Sequence, residues 1–278
     1  MKLLLDHQKL LSSRLKALKL DISEYSFANL YLFRELHQYE VLEMGEIFVK
    51  GITRDGFKYI MPIFDILNSS LDILRQAVRD VDFLYPIPEK WLGVFSQLPH
   101  EVSYSEGDSD YIFGVEKIAT YPGRHLDGKR GLVKQFLGAN TVRSDPLTSA
   151  NAKDAFQVLE KWKEHIIDEQ VDYTPCYEAI ERLEELRMQG QIYFIDNQPV
   201  GFIIGEPLND QMFVIHFSKA DVQYKGIYQY MYQAFARTVA SQYPFLNWEQ
   251  DLAKEGLRQS KRSYCPDGFI KKMRVKFL

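Results

Sequence analysis

The sequence predicts an α/β (α+β) protein of two domains, each a mixed, mostly antiparallel sheet flanked by helices. Three observations lead there. Two hairpin signals lie about half a chain apart: "TRDG" between "EIFVKGI" and "FKYIMPIF", and "DNQ" between "QIYFI" and "PVGFIIGEPL". Each hairpin is preceded by amphipathic helical stretches and followed by a strand and a helix. Between the halves, "TVRSDPLTSANA" is polar and turn-rich and serves as the expected linker, which sets the domains at 1–145 and 146–278. The halves share a plan but no residue-by-residue repeat, and a single large α/β domain is the competing arrangement at 278 residues.

The elements follow in order. Leu10, Leu11, Leu15 and Leu18 form the stripe of a first helix. After the first hairpin, "SSLDILRQAVRDV" reads as a helix with a serine N-cap, "FLYPI" as a short strand and "EKWLGVFSQL" as a brief helix. "YIFGVEKIATY" begins as a strand, and "DGKRGLVKQFLGAN" is a helix ending at Gly138. In the second half "AKDAFQVLEKWKEHII" and "YEAIERLEELRMQG" are amphipathic helices, the latter closed by Gly190. "QMFVIHFSK" alternates weakly, as a strand buried on both faces does. A long helix "GIYQYMYQAFARTVASQY", a short strand "FLN", a helix "KEGLRQSKRSY" and a closing strand "FIKKMRVKFL" complete the chain. The lysines of that last strand suit an edge position, where they discourage aggregation.

Composition narrows the function classes. Hydrophobic residues at 46% and aromatics at 14% exclude a disordered chain. A net charge of −4 excludes general coating of nucleic acid but permits a local basic patch. Cys176 and Cys265 neither make a disulfide framework nor have metal-ligand spacing, so reduced thiols and no metal are expected. The apolar start is broken by Asp6 and His7, and no stretch is long enough to span a membrane. The expected location is cytoplasmic, either free or peripheral to a membrane.

Candidate chemistry gathers in the second half. Its order of helices, hairpin, long strand, glycine loop, helix and strand is similar to that of GNAT-type acyltransferases, in which two splayed strands open a slot for the acyl donor. The loop "QYKGIY" supplies Gln223 and Gly226 for a pyrophosphate cradle but has Tyr228 where a small residue is needed. A plain helix start with a turn glycine is the other reading. Past the end of "FLN", Glu249 and Asp251 occupy the place where open α/β sheets put ligands, and either suits a general base. Arg258, Lys261 and Arg262 share one helix face able to hold an anion or steady an oxyanion, unless they form only solvated surface pairs. His216, alone in an apolar strand, is either a satisfied core histidine or a catalytic group in the slot. Lys219, three residues on, is expected on the opposite face. Lys129 and Arg130 begin a helix, which calls for a phosphate, an acidic partner or an interdomain salt bridge. The aromatic run Tyr228, Tyr230, Tyr232 and Phe235 is read mainly as core.

The block "NWEQDLAKEGLRQSKRSYCP" resembles the N-x-E-Q-D-L…G-L-R-x-x-K-x-S-Y-x-P block of the C-terminal catalytic domain of bacterial phosphatidylglycerol lysyltransferases. It is carried here by Asn247, Glu249, Gln250, Asp251, Leu252, Gly256, Leu257, Arg258, Lys261, Ser263, Tyr264 and Pro266. "SDYIF" with Asp110 and Tyr111, "LDGKRGLVKQF" with Lys129, Arg130 and Phe136, and "VIHFSKA" with His216 and Lys219 resemble the same family. The resemblance runs from about residue 20 to 270 and implies two tandem GNAT-like domains, as in the Fem-type peptidyltransferases. It also implies transfer of an aminoacyl group from tRNA to a lipid hydroxyl, with no membrane-embedded portion expected before the domain. On it, Glu249, Asp251, Lys261 and His216 form the expected catalytic set. Arg258, Arg262, Lys129, Arg130, Lys219, Gln223 and Gly226 form the donor or anion site, and Asn247, Tyr264, Tyr111 and Asp110 line the pocket.

The expected function is therefore acyl or aminoacyl transfer. The donor is aminoacyl-tRNA or another phosphate-bearing molecule, the acceptor a lipid or small-molecule hydroxyl or amine, and the C-terminal cations point into a cleft between the domains. An acyl-CoA donor, as in an acetyl-CoA-dependent N-acetyltransferase, and a non-catalytic ligand-binding module are the alternatives.

Overall fold

The computed structural model describes residues 1–165 and 172–278. In chain order the elements are α1 (Gln8–Ala17), α2 (Phe27–Leu32), α3 (Arg34–His37), β1 (Glu40–Glu43), β2 (Ile47–Ile52), β3 (Lys58–Pro62), α4 (Leu71–Ala77), β4 (Phe83–Ile87), β5 (His100–Ser103) and β6 (Asp110–Gly114). Then come α5 (Val115–Thr120), α6 (Asp127–Ala139), β7 (Val142–Pro146), α7 (Ala152–Glu164), α8 (Tyr173–Glu181), β8 (Gln189–Ile195), β9 (Gln198–Asn209) and β10 (Met212–Ala220). The chain closes with α9 (Ile227–Val239), β11 (Phe245–Asn247), α10 (Glu255–Arg262), β12 (Gly268–Ile270) and β13 (Met273–Phe277). The protein thus has two mixed, mostly antiparallel sheets flanked by helices.

Residues 1–110, 250–258 and 269–278 gather into one compact unit, and residues 111–249 and 259–268 into the other. The division differs from the expected boundary at 145/146, which falls inside the second unit. Two pieces of chain cause the difference: β6 joins the second sheet, and β13 returns to the first.

The first sheet runs β1–β2–β3–β4–β13–β5. The "TRDG" turn forms as its residues dictate, with Gly56 at φ 88° and its N–H donating to the Thr53 carbonyl at 3.0 Å. Ser70 caps α4 by accepting from the Asp72 N–H. The closing strand departs from expectation: β13 lies between β4 and β5, antiparallel to both, instead of at an edge. Its Arg274 is held by acids of the first unit, while Lys276 stays exposed. Arg274 forks onto Asp55 at 2.6 and 3.1 Å and reaches Asp108 at 2.9 Å.

Lys272, just before β13, is fully buried. Its ammonium meets Glu24 and Asp110 at 2.7 Å each and the Gln250 side-chain carbonyl at 2.8 Å. The Ser23 N–H donates to Asp110 at 2.8 Å. Burial pushes the Glu24 carboxyl up to about 7 against the pull of Lys272, with Asp110 adding repulsion. Lys272 itself is held charged, because the two acids outweigh the cost of burying it. Asp110, expected in a pocket, is instead a buried member of this network.

In the second unit β6–β11–β10–β9–β8–β7 lie side by side. The "DNQ" hairpin closes through Asp196 (φ 50°) and Asn197 (φ 62°), the two left-handed residues that a two-residue turn needs. β10 is buried at nearly every residue, as its apolar run predicts, and α7 and α9 both pack on it. Two expectations fail here. Within the expected linker, residues 142–146 form β7, paired antiparallel with β8; their polar side chains suit a sheet edge as well as a loop. The helix expected to reach Gly190 ends at Glu181, and Gly190 sits in β8 where a Cβ would lie 2.5 Å from the Ile203 carbonyl oxygen. The last residues of the expected "AKDAFQVLEKWKEHII" helix, 166–167, lie outside the described residues.

Lys272→Met should lower stability by about 3–5 kcal/mol, read from urea midpoints, because it strands two carboxylates in the core. Adding Glu24→Gln and Asp110→Asn to that variant should recover part of the loss.

Candidate functional site

The second unit contains one place where sheet geometry opens. β10 and β11 run parallel and pair only from Met212–Phe245 to Val214–Asn247. β10 then continues to Ala220 while β11 stops, so the strands part. At that point the register of β10 against β9 slips, with Ile215 opposite Gly205 and Phe217 opposite Ile204. His216 is the extra residue of this β-bulge, a device that re-aims a side chain.

The His216 ring is fully buried between two carboxylates, with Nδ1 2.8 Å from Glu249 Oε1 and Nε2 3.0 Å from Glu206 Oε1. Burial alone would lower its pKa. The adjacent carboxylates, Glu249 foremost, overcome that and raise it to about 10. His216 is therefore an imidazolium at neutral pH, with both N–H groups donating. It fixes two carboxylates, as the reading of a satisfied buried histidine expects.

Glu249 reaches this position through a strained backbone. Its φ of 56° is left-handed, a conformation that costs a non-glycine residue about 1 kcal/mol or more. Asn247, fully buried, offsets the cost: its side-chain oxygen accepts the Glu249 N–H at 2.7 Å. The Glu249 carbonyl accepts from the Tyr111 N–H at 3.1 Å and from the Lys261 ammonium at 3.2 Å. Lys261 also donates to the Trp248 carbonyl at 2.6 Å. Asn247, Tyr111 and Lys261 thus build the turn that presents Glu249, Lys261 through its bonds to backbone carbonyls.

Beside the turn lies an aromatic box. Trp248 stacks on Tyr232 at 4.3 Å between ring centres and meets Phe113 at 4.3 Å and Tyr264 at 5.0 Å. Each buried ring contributes about 1.5–3 kcal/mol through the surface it removes from water. Tyr264 is buried and accepts from Gln229 at 3.1 Å, so it is a wall of this box. Lys129 lies 3.8 Å over the Tyr264 ring and donates to Ser263 at 2.7 Å, and burial lowers its pKa. The Trp248 indole N–H is buried without an acceptor among the described residues.

The remaining predicted residues fall elsewhere. Asp251, fully buried in the first unit, is paired with Arg258 at 2.8 Å and accepts from the Ala253 N–H at 2.8 Å. Its charge is balanced there by Arg258, as that of Glu249 is by His216. Arg262 is exposed at the end of α10. Arg130 is used locally, bonding to Asp127 and to the carbonyls of Tyr121 and Gly123. Lys219 pairs with Asp172 at 2.7 Å and covers the Trp162 ring at 3.8 Å. In the glycine loop, the Gln223 N–H donates to Asp221. Gly226 (φ 93°) starts α9 where a Cβ would lie 2.5 Å from the Leu132 carbonyl oxygen. Helix packing therefore requires this glycine whether or not a phosphate ever binds. Sequence reasoning missed Glu206. Its one signal was an acid inside the otherwise apolar "GFIIGEPL".

A family model described as phosphatidylglycerol lysyltransferase, C-terminal, matches residues 15–276. Among solved structures, a conserved protein of unknown function from Bacteroides thetaiotaomicron VPI-5482 superposes with a TM-score of 0.87 at 22% identity, covering 100% of this chain and 99% of that one. The C-terminal domain of a putative lysylphosphatidylglycerol synthetase from Agrobacterium fabrum gives 0.64 at 12% identity, covering 98% and 92%. FemX gives 0.64 at 9% identity, covering 100% and 97%. At these identities the likeness shows the fold. Among the described residues no helix is long and apolar enough to cross a membrane.

Because His216 has its pKa raised in the folded state, the stability it contributes is complete below pH 6.5 and is lost as pH rises from 6.5 towards 10. At about 1.4 kcal/mol per pKa unit, wild-type protein should lose a few kcal/mol across that window. His216→Gln should show a flatter decline, measured by urea unfolding at pH 6, 8 and 10.

Proposed function

The chain belongs to the phosphatidylglycerol lysyltransferase C-terminal family, and on that premise we propose that it is an acyl- or aminoacyltransferase. Its donor is aminoacyl-tRNA or another phosphate-bearing activated ester, and its acceptor a hydroxyl or amine of a lipid headgroup or small molecule. Each unit is read as GNAT-like. The observation that carries this reading is the meeting of the His216 bulge and the Glu249 turn where β10 and β11 part.

In the proposed reaction the acceptor's hydroxyl or amine attacks the ester carbonyl of the donor. Glu249 takes the proton released from that nucleophile and returns it to the departing oxygen, so the acceptor gains the acyl group and the donor leaves as an alcohol. His216 is a positioning residue: as an imidazolium it holds Glu249 through Nδ1, while Glu206 holds its Nε2. The buried Trp248 N–H, which lacks an acceptor among the described residues, suits a hydrogen bond to the carbonyl oxygen as charge develops. Asn247 and Lys261 keep the turn in its left-handed form. Proton transfer and preorganised donors supply the chemistry in this scheme, with positioning of the two substrates contributing the rest. The packing of Gly226 against Leu132 accounts for this glycine, so it lends no support to reading its loop as a coenzyme A cradle.

The test is transfer by the full chain of a radiolabelled amino acid from charged tRNA, with phosphatidylglycerol vesicles and soluble amines as acceptors and acetyl-CoA as a control donor. Glu249→Gln should lower kcat by roughly 10²–10⁴-fold with little change in KM. His216→Gln should shift the pH profile as well as the rate. Full activity in Glu249→Gln, or no product from any aminoacyl ester, would overturn the reading.

A further inference from the structure

We infer a second ligand site in the first unit: a groove at the β1–β2–β3 end of its sheet that binds the phosphate group of a small molecule. The inference stands apart from the transfer reaction, since it uses none of the residues assigned to it. The groove has a volume of about 360 Å3 and carries Lys2, Arg34, Lys50 and Lys58 against Glu35 and Glu40. Four cations and two acids leave an excess of two positive charges in one concavity of a protein whose net charge is −4.

Strand register explains why they converge. Lys2 bridges to Glu40, and Glu40 lies opposite Lys50. Lys58 lies opposite Ile52, two residues beyond Lys50. Side chains two apart on a strand share a face, so Lys50 and Lys58 project from the same side of the β2–β3 ladder. One carboxylate between Lys2 and Lys50 cannot neutralise both, and no described carboxylate lies within 4 Å of the Lys2, Lys50 or Lys58 ammonium. Arg34 is held more rigidly. It donates to the Tyr31 carbonyl at 2.6 Å, and its guanidinium stacks 3.9 Å over the Tyr31 ring. A preorganised guanidinium beside three ammonium groups is a suitable arrangement for a dianionic phosphate.

The two acids decide between small and polymeric ligands. Glu35 and Glu40 would repel a continuous phosphate backbone, whereas they can accept hydrogen bonds from the hydroxyls or amine of a small phosphate ester. The volume also fits a small ligand.

Calorimetric titration of the full chain with inorganic pyrophosphate tests the assignment, with a tRNA mixture and phosphatidylglycerol vesicles titrated in parallel. Lys50→Glu/Lys58→Glu should weaken pyrophosphate binding by roughly tenfold or more per lysine, while Lys153→Glu, on the exposed side of α7, leaves it unchanged. Lys50→Gln/Lys58→Gln, a milder pair, should give a smaller loss and serves if the charge reversal impairs folding. Undetectable pyrophosphate binding by wild-type protein, or equal binding by the lysine variants, overturns the site. Binding of tRNA or vesicles alone that depends on Lys50 and Lys58 also overturns it, in favour of a polymer or membrane contact.

Discussion

A charged imidazole shut between two carboxylates is the constraint on which the second unit's site depends. Burying a charge costs several kcal/mol unless its partners compensate, and His216 has two. Three separate pieces of chain must deliver the groups: β9 brings Glu206, the bulge in β10 brings His216, and the turn after β11 brings Glu249. If any one is misplaced, a buried charge is left unpaired. The arrangement is therefore held in place by its own electrostatics, at the point where two strands stop pairing.

The acid-rich and base-rich block near the end of the chain reads differently once this is seen. Most of its charged and polar residues build geometry. Asn247 and Lys261 stabilise a backbone conformation that glutamate would otherwise avoid, and Arg258 balances Asp251 inside the first unit. Glu249 alone is carried to the parting strands. A strained turn is steadied by supporting groups close by in the sequence, as Asn247 and Lys261 are here.

What was legible in the sequence was what local chemistry determines. Asp-Gly and Asp-Asn turns, the serine cap of α4 and the apolar strand β10 all formed where their residues indicated. His216 stood out as the titratable residue of an apolar strand, and Glu249 as an acid just past a strand end. The misses are long-range. β7 is a strand only because β8 pairs with it, and β13, expected as a strand, takes its central place only because β4 and β5 flank it; nothing in their own residues specifies those partners. Glu206 escaped notice because a bulge changes which residues face one another, and no spacing rule reveals a bulge. Lys272 looked like a solvent-facing lysine, since its two acids come from positions 24 and 110.

The place of β13 has a consequence for how the molecule comes into being. As residues 1–110 leave the ribosome, β4 and β5 have no central strand to join them, and Glu24 and Asp110 have no cation between them. More than half of the chain must still be translated before Lys272 and β13 exist. Contacts of such wide sequence separation close late, and an unpaired strand edge exposed in the interval invites association with other chains. The nascent protein thus passes through a stage in which its earliest-made unit is still incomplete, and chaperones that shield open sheet edges would have their longest opportunity then.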